Sequence, residues 1–447
     1  MTRDCPQNDE PRPVVAHINY LFFHSTQSFI YFYLSHCRRT RAIFLTRAPE
    51  SPSVSNVIPA ALAGDFYLYG APPGSRRISG LLWACGLKLR RGLTRLPPRL
   101  AEPLLDGLHR RIVPRLRSDS HPARYLGWVE EIVRRRGARL IHAYFGPVGW
   151  RMLALKRKLG LPLVVTFLGD DIAPSLAPWW WWLVQSGSEA PNWPERLREL
   201  LAEGDLFLVE GPFLRQRLLD LGCPPEKVQV QRIALPVHDT DFLAAHRQPQ
   251  GRVIIMFAGR FCEQKGLLYA LEAVRELWSE RHDFEFRLIG DEQLTDGRYA
   301  ARVYDYIRDH RLQDCVRLLG FLSHADYLRE MRHADIFLHP SIVDADGAGE
   351  GGAPTTILEA QALGLPVIST AHCDIPNVTV PGESALLVRE RDSHALADAL
   401  RRLVDDPDRR EAMGRAGRRH IEKFHDIEQE APVLEARYCA LIERATR

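Results

Sequence analysis

Residues Gly349 to Pro366 read GEGGAPTTILEAQALGLP and run on into VISTAHCDIPNVTVPGESALLVRERD. Gly349, Gly351 and Gly352 free the backbone for close approach to a ligand, and Pro354 suits the first turn of a helix, where no N–H partner is lost. The pattern predicts a helix from Pro354 to Leu363, stopped by Gly364. Its first-turn amides and positive dipole end would address an anion held over the glycines, and a diphosphate is the usual occupant of such a place. Glu350 lies before the helix and Glu359 about one and a half turns inside it, so both carboxylates can address hydroxyls of a phosphorylated ligand. The alternative is an ordinary amphipathic helix with a glycine cap.

Upstream of this stretch, VIIMFAGRFCEQKGLLYALEAV reads as a buried strand, a turn and an apolar helix. Gly259, Arg260, Lys265 and Gly266 fall on the turn. An Arg and a Lys held there can clamp a diphosphate and neutralise a leaving group; the plainer reading makes them surface residues. The short apolar runs FRLIG, VRLLGF and IFLHP follow, separated by helical segments. Such alternation implies a parallel sheet with helices on both faces, an α/β fold. The first half repeats it with VVAHINYLFF, Arg41 to Thr46, LIHAYFG and LVVTF. The last of these delivers Leu168, Gly169, Asp170 and Asp171 at its carboxyl end, where open parallel sheets collect ligands.

A chain of 447 residues suits two domains of about two hundred residues each. The polar stretch AAHRQPQGR, Ala244 to Arg252, is the linker candidate. A net charge of +3 argues against a dedicated nucleic-acid binder, although residues 71–140 carry sixteen Lys and Arg against five Asp and Glu. The arginines between Gly74 and Arg117 alternate with apolar residues, which fits either a surface lying on anionic headgroups or a solvated helical hairpin. In PWWWW, Pro178 to Trp182, consecutive tryptophans cannot all enter one core, so some meet a membrane interface or stack on sugar rings. The eight cysteines stand singly with no C-x-x-C pair, matching neither a zinc site nor a disulfide framework and suiting a reducing cytosol. The first residues lack the apolar core of a secretory signal, and no uncharged run reaches the roughly 18 residues of a spanning helix. The expected location is cytoplasmic, or peripheral on the inner face of the cell membrane.

The run E-G-G-A-P-x-x-x-x-E-A-Q-A-x-G-x-P-V-I-S-T, Glu350 to Thr370, together with Ile375-Pro376 and G-x-x-x-L-L-V from Gly382, resembles the donor-site signature of the family 4 retaining glycosyltransferases. It is most similar to the subset containing the bacterial colanic-acid and amylovoran exopolysaccharide enzymes. Gly259, Arg260, Lys265 and Gly266 match that family's G-R-x-x-x-x-K-G element. Gly320 and Phe321 match the loop over which the nucleotide base lies, and Ser25 to Ile30 resemble the S-E-T-F-I turn with Gln27 for Glu. Two departures stand out. Eight residues separate Glu350 from Glu359 where seven are usual, and T-F-L-G-D-D places Leu168 where the family has a His.

The resemblance implies the GT-B arrangement, two doubly wound Rossmann-like domains facing across a cleft. Residues 1–245 would form the acceptor side, 246–428 the nucleotide-sugar side, and 429–447 a helix crossing back to the first domain. It implies transfer of a hexose from a nucleotide diphosphate sugar, UDP- or GDP-linked, with retention, to a saccharide or lipid-diphosphate-linked acceptor. The implied catalytic residues are Asp171, Glu350, Arg260 and Lys265. The implied donor-binding residues are Gly259, Arg260, Lys265, Gly320, Phe321, Gly351, Gly352, Ala353, Pro354 and Glu359. No metal and no further cofactor is implied, and the Asp344 and Asp346 pair is read as no metal site. Two rivals stand beside this reading: a same-fold phosphorylase or sugar-nucleotide epimerase, and a retired transferase serving as an assembly subunit.

Overall fold

The computed structural model describes residues 12–22, 28–49, 65–69, 122–172, 192–239, 251–290, 297–345, 347 and 349–447. The arginine-rich segment 74–117, Pro178 to Trp182, Ser25 to Gln27, Asp241, Phe242, most of the linker candidate and Asp346 lie outside the described residues.

Two sheets carry the fold. The first has seven strands in the order β3-β2-β1-β4-β5-β6-β7, from Val14–Phe22 (β1), Arg41–Pro49 (β2), Phe66–Leu68 (β3), Ala138–Tyr144 (β4), Leu163–Phe167 (β5), Leu206–Val209 (β6) and Val228–Val230 (β7). The second has six in the order β10-β9-β8-β11-β12-β13, from Val253–Ala258 (β8), Phe284–Ile289 (β9), Val316–Gly320 (β10), Ile336–His339 (β11), Val367–Thr370 (β12) and Ala385–Val388 (β13). All five neighbouring pairs of the second sheet are parallel, as are β1 with β2 and β4, β2 with β3, and β4 with β5. Both orders are the doubly wound Rossmann type, in which the winding reverses beside the first strand. Central strands such as β5, β6, β11 and β12 are buried along their whole length, which is why they read as continuous apolar runs rather than alternating ones.

The chain divides into two compact units. One comprises residues 1–166, 174–207 and 431–447, and the other 167–173 and 208–430. In the first, the C-terminal helix Ile427–Thr446 contributes Glu435 and Tyr438. The Glu435 carboxylate accepts the backbone N–H groups of Arg38, Arg39 and Thr40 at 3.0, 2.6 and 2.7 Å. Tyr438 meets His142 Nδ1 at 2.6 Å, and the other ring nitrogen of His142 meets Thr166 Oγ1 at 2.7 Å.

In the second unit, Phe257, Phe286, Leu288, Val303 and Leu400 belong to a core assembled from the strands and the helices Leu267–Trp278, Arg298–Asp309 and Ser393–Asp405. The site helix runs Thr355–Ala362. Pro354 therefore stands one residue ahead of the expected first turn, at the N-cap with ψ 126°, because the capping residue keeps extended backbone while its carbonyl starts the helix. At the other end Gly364, at φ 78°, donates to Gln361 O (3.0 Å) and Leu365 donates to Ala360 O (2.9 Å), the paired bonds of a Schellman stop.

Candidate active site

The order of the second sheet puts the carboxyl ends of β8 and β11 side by side at the reversal of winding, the place where open α/β sheets bind ligands. Gly259 and Arg260 follow β8 at once. A short 3-10 turn, Glu263–Lys265, then presents Lys265 and ends at Gly266 in the left-handed conformation (φ 64°). A Cβ on Gly266 would run into the carbonyl of Pro340, so the two strand-end loops pack with no room for a side chain. β11 ends on His339, and Pro340, Ser341 and then the glycine loop follow.

Lys265 Nζ lies 2.5 Å from Glu350 Oε2, with side chains only 12% and 8% exposed. Ser341 donates its hydroxyl to Glu350 Oε1 at 2.8 Å. Burial alone would raise the pKa of Glu350, but the charge of Lys265 and these hydrogen bonds overcome it and hold the carboxyl at about 2. The backbone N–H of Glu350 donates to His372 Nε2 at 3.0 Å, and His372 Nδ1 donates to Glu390 Oε1 at 2.6 Å. These two bonds fix the His372 tautomer and the entry to the loop.

The loop is tight. Gly351 sits at φ 77° with its α-carbon against Gly169, and a side chain at either position would overlap the other's backbone. A Cβ on Gly352 would strike the carboxyl of Glu210. Glu210 follows β6 and accepts a backbone hydrogen bond from Ala353; burial first, then the carboxylates of Asp374, Asp171 and Glu350, raise its pKa well above the carboxylate range. Asp171 is fully buried, and its Oδ1 accepts the N–H groups of Leu168 (3.1 Å) and Gly169 (2.9 Å), closing the turn that rests on Gly351.

Glu359, 7% exposed, points its carboxylate at the helix His324–Arg332. His324 Nε2 donates to Oε1 at 2.9 Å and Tyr327 donates its hydroxyl to Oε2 at 2.8 Å. Burial disfavours the His324 cation, but Glu359 outweighs it and raises that pKa. Gly320 (φ 67°) and the half-exposed Phe321 lie just before this helix. Asp344 accepts from Gln264 Nε2 at 2.9 Å.

The structure thus joins Lys265 to Glu350 directly, Gly351 to the turn of Asp171, and Gly352 and Ala353 to Glu210. Glu359 is bound to the element that follows Gly320 and Phe321. Gly259 and Arg260 stand at the end of β8, where a Cβ on Gly259 would come 3.5 Å from His339 Cε1. Sequence reasoning missed Glu210, His324, Tyr327, Ser341, His339 and His372. His324 and Tyr327 carry a usable signal, two polar side chains three residues apart on one helix face.

Residues 239–420 match the family described as glycosyl transferases group 1, and residues 71–232 match the glycosyl transferase 4-like domain. Both matched segments are glycosyltransferase domains, and they lie one after the other between residues 71 and 420. The chain is 33% identical to the colanic acid biosynthesis glycosyltransferase WcaL of Salmonella typhimurium over 58% of its own length and 59% of that protein's. It is 37% identical to the amylovoran biosynthesis glycosyltransferase AmsK of Erwinia amylovora over 46% and 48%. The chain thus spans about half to three fifths of these relatives' length. Its fold matches HepE of Anabaena, solved with UDP and glucose, at a TM-score of 0.67 and 13% identity over 95% of this chain and 99% of that one. It also matches sucrose-phosphate synthase of Thermosynechococcus elongatus at 0.64 and 18%, over 97% and 100%. The fold is GT-B. No helix among the described residues is long and apolar enough to cross a membrane.

Proposed function

We propose that this glycosyltransferase moves a hexose from a nucleotide diphosphate sugar to a saccharide or lipid-diphosphate-linked acceptor, with retention of configuration, in synthesis of a bacterial surface polysaccharide. The observation that carries this reading is the pairing of Lys265 with Glu350 at the junction of β8 and β11, under a loop too tight for any side chain. Lys265 is a cation held at a switch point beside backbone that a phosphate can approach. Glu350 is a carboxylate kept ionised in a buried place.

In the proposed reaction, Arg260 and Lys265 take the diphosphate and stabilise its charge as the sugar bond breaks. Glu359 accepts the ribose hydroxyls, exchanging the donors it now has in His324 and Tyr327. Glu350 accepts sugar hydroxyls, and Asp171 orders the turn facing the transferring sugar. Phe321 offers a ring to the base. The departing phosphate takes the acceptor's proton on the same face, which retains configuration without a protein nucleophile. With two cationic side chains on the leaving group, the reaction needs no metal ion or further cofactor. The names of the polysaccharide-forming relatives and the UDP and glucose of the Anabaena structure support the donor class and the pathway. Work at the inner face of the cell membrane follows from a lipid-linked acceptor.

The test is a thermal-shift screen against UDP, GDP and their sugars, followed by turnover with the donor that binds. A ligand that binds only the folded form raises its melting temperature by mass action. Nuclear magnetic resonance of the product's anomeric proton then reads the stereochemistry. No shift with any nucleotide, or an inverted product, overturns the proposal or its retaining mechanism respectively.

A further inference from the structure

Among the described residues of the second unit, His339 is the histidine whose two ring nitrogens are both buried and unpaired. It ends β11, is completely buried, and lies stacked against Phe257 and Phe337 at ring separations of 5.1 and 5.9 Å. Neither Nδ1 nor Nε2 has a hydrogen-bond partner among the described residues. Buried polar groups are nearly always paired, so an imidazole with two unpaired nitrogens calls for an explanation. The charged and titratable groups that act on it are Lys265, from the turn after β8, Glu350, from the glycine loop, and His372, beyond β12. Its Nε2 stands 3.9 Å from Glu350 Oε1, just beyond bonding reach.

Lys265 already neutralises Glu350. Burial and the neighbouring lysine charge keep His339 neutral, with a pKa of about 3. That balance holds only while Lys265 serves Glu350. A diphosphate arriving over the loop competes for the ammonium with two or more charges of its own. Glu350 is then left as a buried carboxylate with a weakened counter-charge, and a buried charge in that position recruits a partner or a proton. The group within an ångström or so of bonding distance is His339.

We infer that His339 is a positioning residue that takes up a proton when the donor's diphosphate draws Lys265 away from Glu350, so that nucleotide binding and proton uptake are coupled through the Lys265–Glu350–His339 trio. The proton comes from solvent as the donor enters and resides on the imidazole, which then donates to Glu350 Oε1. It returns to solvent when the nucleotide leaves. Glu350 thereby stays ionised and oriented for the sugar throughout. This inference rests on the functional reading above, since it requires a diphosphate at Lys265.

Isothermal titration of the full chain with UDP or GDP, whichever binds, in buffers of different ionisation enthalpy counts protons taken up per nucleotide. Wild type, His339→Gln and Glu350→Gln are compared at pH 6 and pH 8.5, each checked for native circular dichroism. Any proton exchange at His324, paired with Glu359, is common to all three proteins and cancels in the difference. The expected result at pH 6 is that wild type takes up about 0.5–1 proton more per nucleotide than either variant. The difference shrinks at pH 8.5. Glu350→Gln makes the experiment independent of whether the aromatic slot tolerates the glutamine of His339→Gln, because it removes the charge that recruits the proton. Equal proton numbers in wild type and Glu350→Gln overturn the coupling. Uptake lost in Glu350→Gln but kept in a folded His339→Gln overturns the assignment to His339. Failure of any nucleotide to bind instead overturns the functional reading itself, and the coupling with it.

Discussion

Glu435 Oε1 accepts both the backbone N–H of Thr40, at 2.7 Å, and its hydroxyl, at 2.9 Å. The same carboxylate also takes the N–H groups of Arg38 and Arg39 and is 2% exposed. One side chain of the C-terminal helix thus satisfies the chain as it enters β2. Replacing it by Ala leaves the N–H and hydroxyl of Thr40 buried without an acceptor, each such loss costing about 1–3 kcal/mol before relaxation, while the N–H groups of the exposed Arg38 and Arg39 turn to water. Glu435→Ala is expected to lower stability by about 2–4 kcal/mol and Glu435→Gln by roughly half as much, read as urea midpoints at constant m.

His17 and His142 lie in the same unit with no exposure to speak of, His17 Nδ1 bonded to the Tyr144 hydroxyl at 3.1 Å. Burial depresses the pKa of His17 to about 3 and that of His142 well below its usual value. The unfolded chain binds these protons at ordinary histidine values and the folded chain does not, so stability falls as pH drops from about 6.5 toward 3. Each such group steepens the fall by up to roughly 1.4 kcal/mol per pH unit. His17→Gln is expected to flatten the melting temperature against pH between 6.5 and 4. An unchanged slope would show that the ring is protonated in the folded state.

The two β/α repeats, the glycine loop and the Lys265 turn are legible because each is written in consecutive residues. Their signals are an apolar run, a Gly pair, and a Lys before a Gly at a strand end. The partners are not. Glu210 reads as the polar end of β6, and only folding brings it against Gly352 and Ala353. His339 reads as one letter of a buried strand, because an unpaired imidazole and a core residue leave the same local pattern. Pro354 shows the limit from the other side. Proline fits the N-cap and the first helical turn alike, and the residue alone does not say which.

Tyr327 tests the Glu359 carboxylate. Its hydroxyl donates to Oε2, and burial followed by the Glu359 charge raises its own pKa well above the phenol value, so it is a neutral donor at any working pH. Tyr327→Phe leaves one buried oxygen of Glu359 unpaired, costing about 1–2 kcal/mol of stability. With the carboxylate less well oriented for ribose, nucleotide affinity is expected to fall by about 3- to 10-fold. Glu359→Ala removes the acceptor itself and is expected to weaken nucleotide by about 10- to 100-fold, at roughly 1.4 kcal/mol per decade. Direct titration with the nucleotide distinguishes the two. Equal affinities in both variants would place ribose elsewhere.

Lys265 and Glu350 separate stability from function. The carboxyl of Glu350 is held at about 2, below its unfolded value, so its stabilising contribution is present above pH 4.5 and disappears as pH falls through about 2. Removing the lysine alone strands a buried carboxylate, and breaking a buried pair from one side costs about 3–5 kcal/mol. Lys265→Met is therefore expected to lower the unfolding midpoint sharply near pH 7 and by less near pH 3, where the stranded carboxyl takes a proton. Adding Glu350→Gln to Lys265→Met removes the stranded charge and is expected to restore about half or more of the lost stability. On the proposed roles the double variant has no ammonium for the diphosphate and no carboxylate for the sugar, so its turnover is expected to stay at background while its melting temperature recovers. Recovery of both would show that the pair is a structural strut, and recovery of neither would show that the lysine's role lies outside its bond to Glu350.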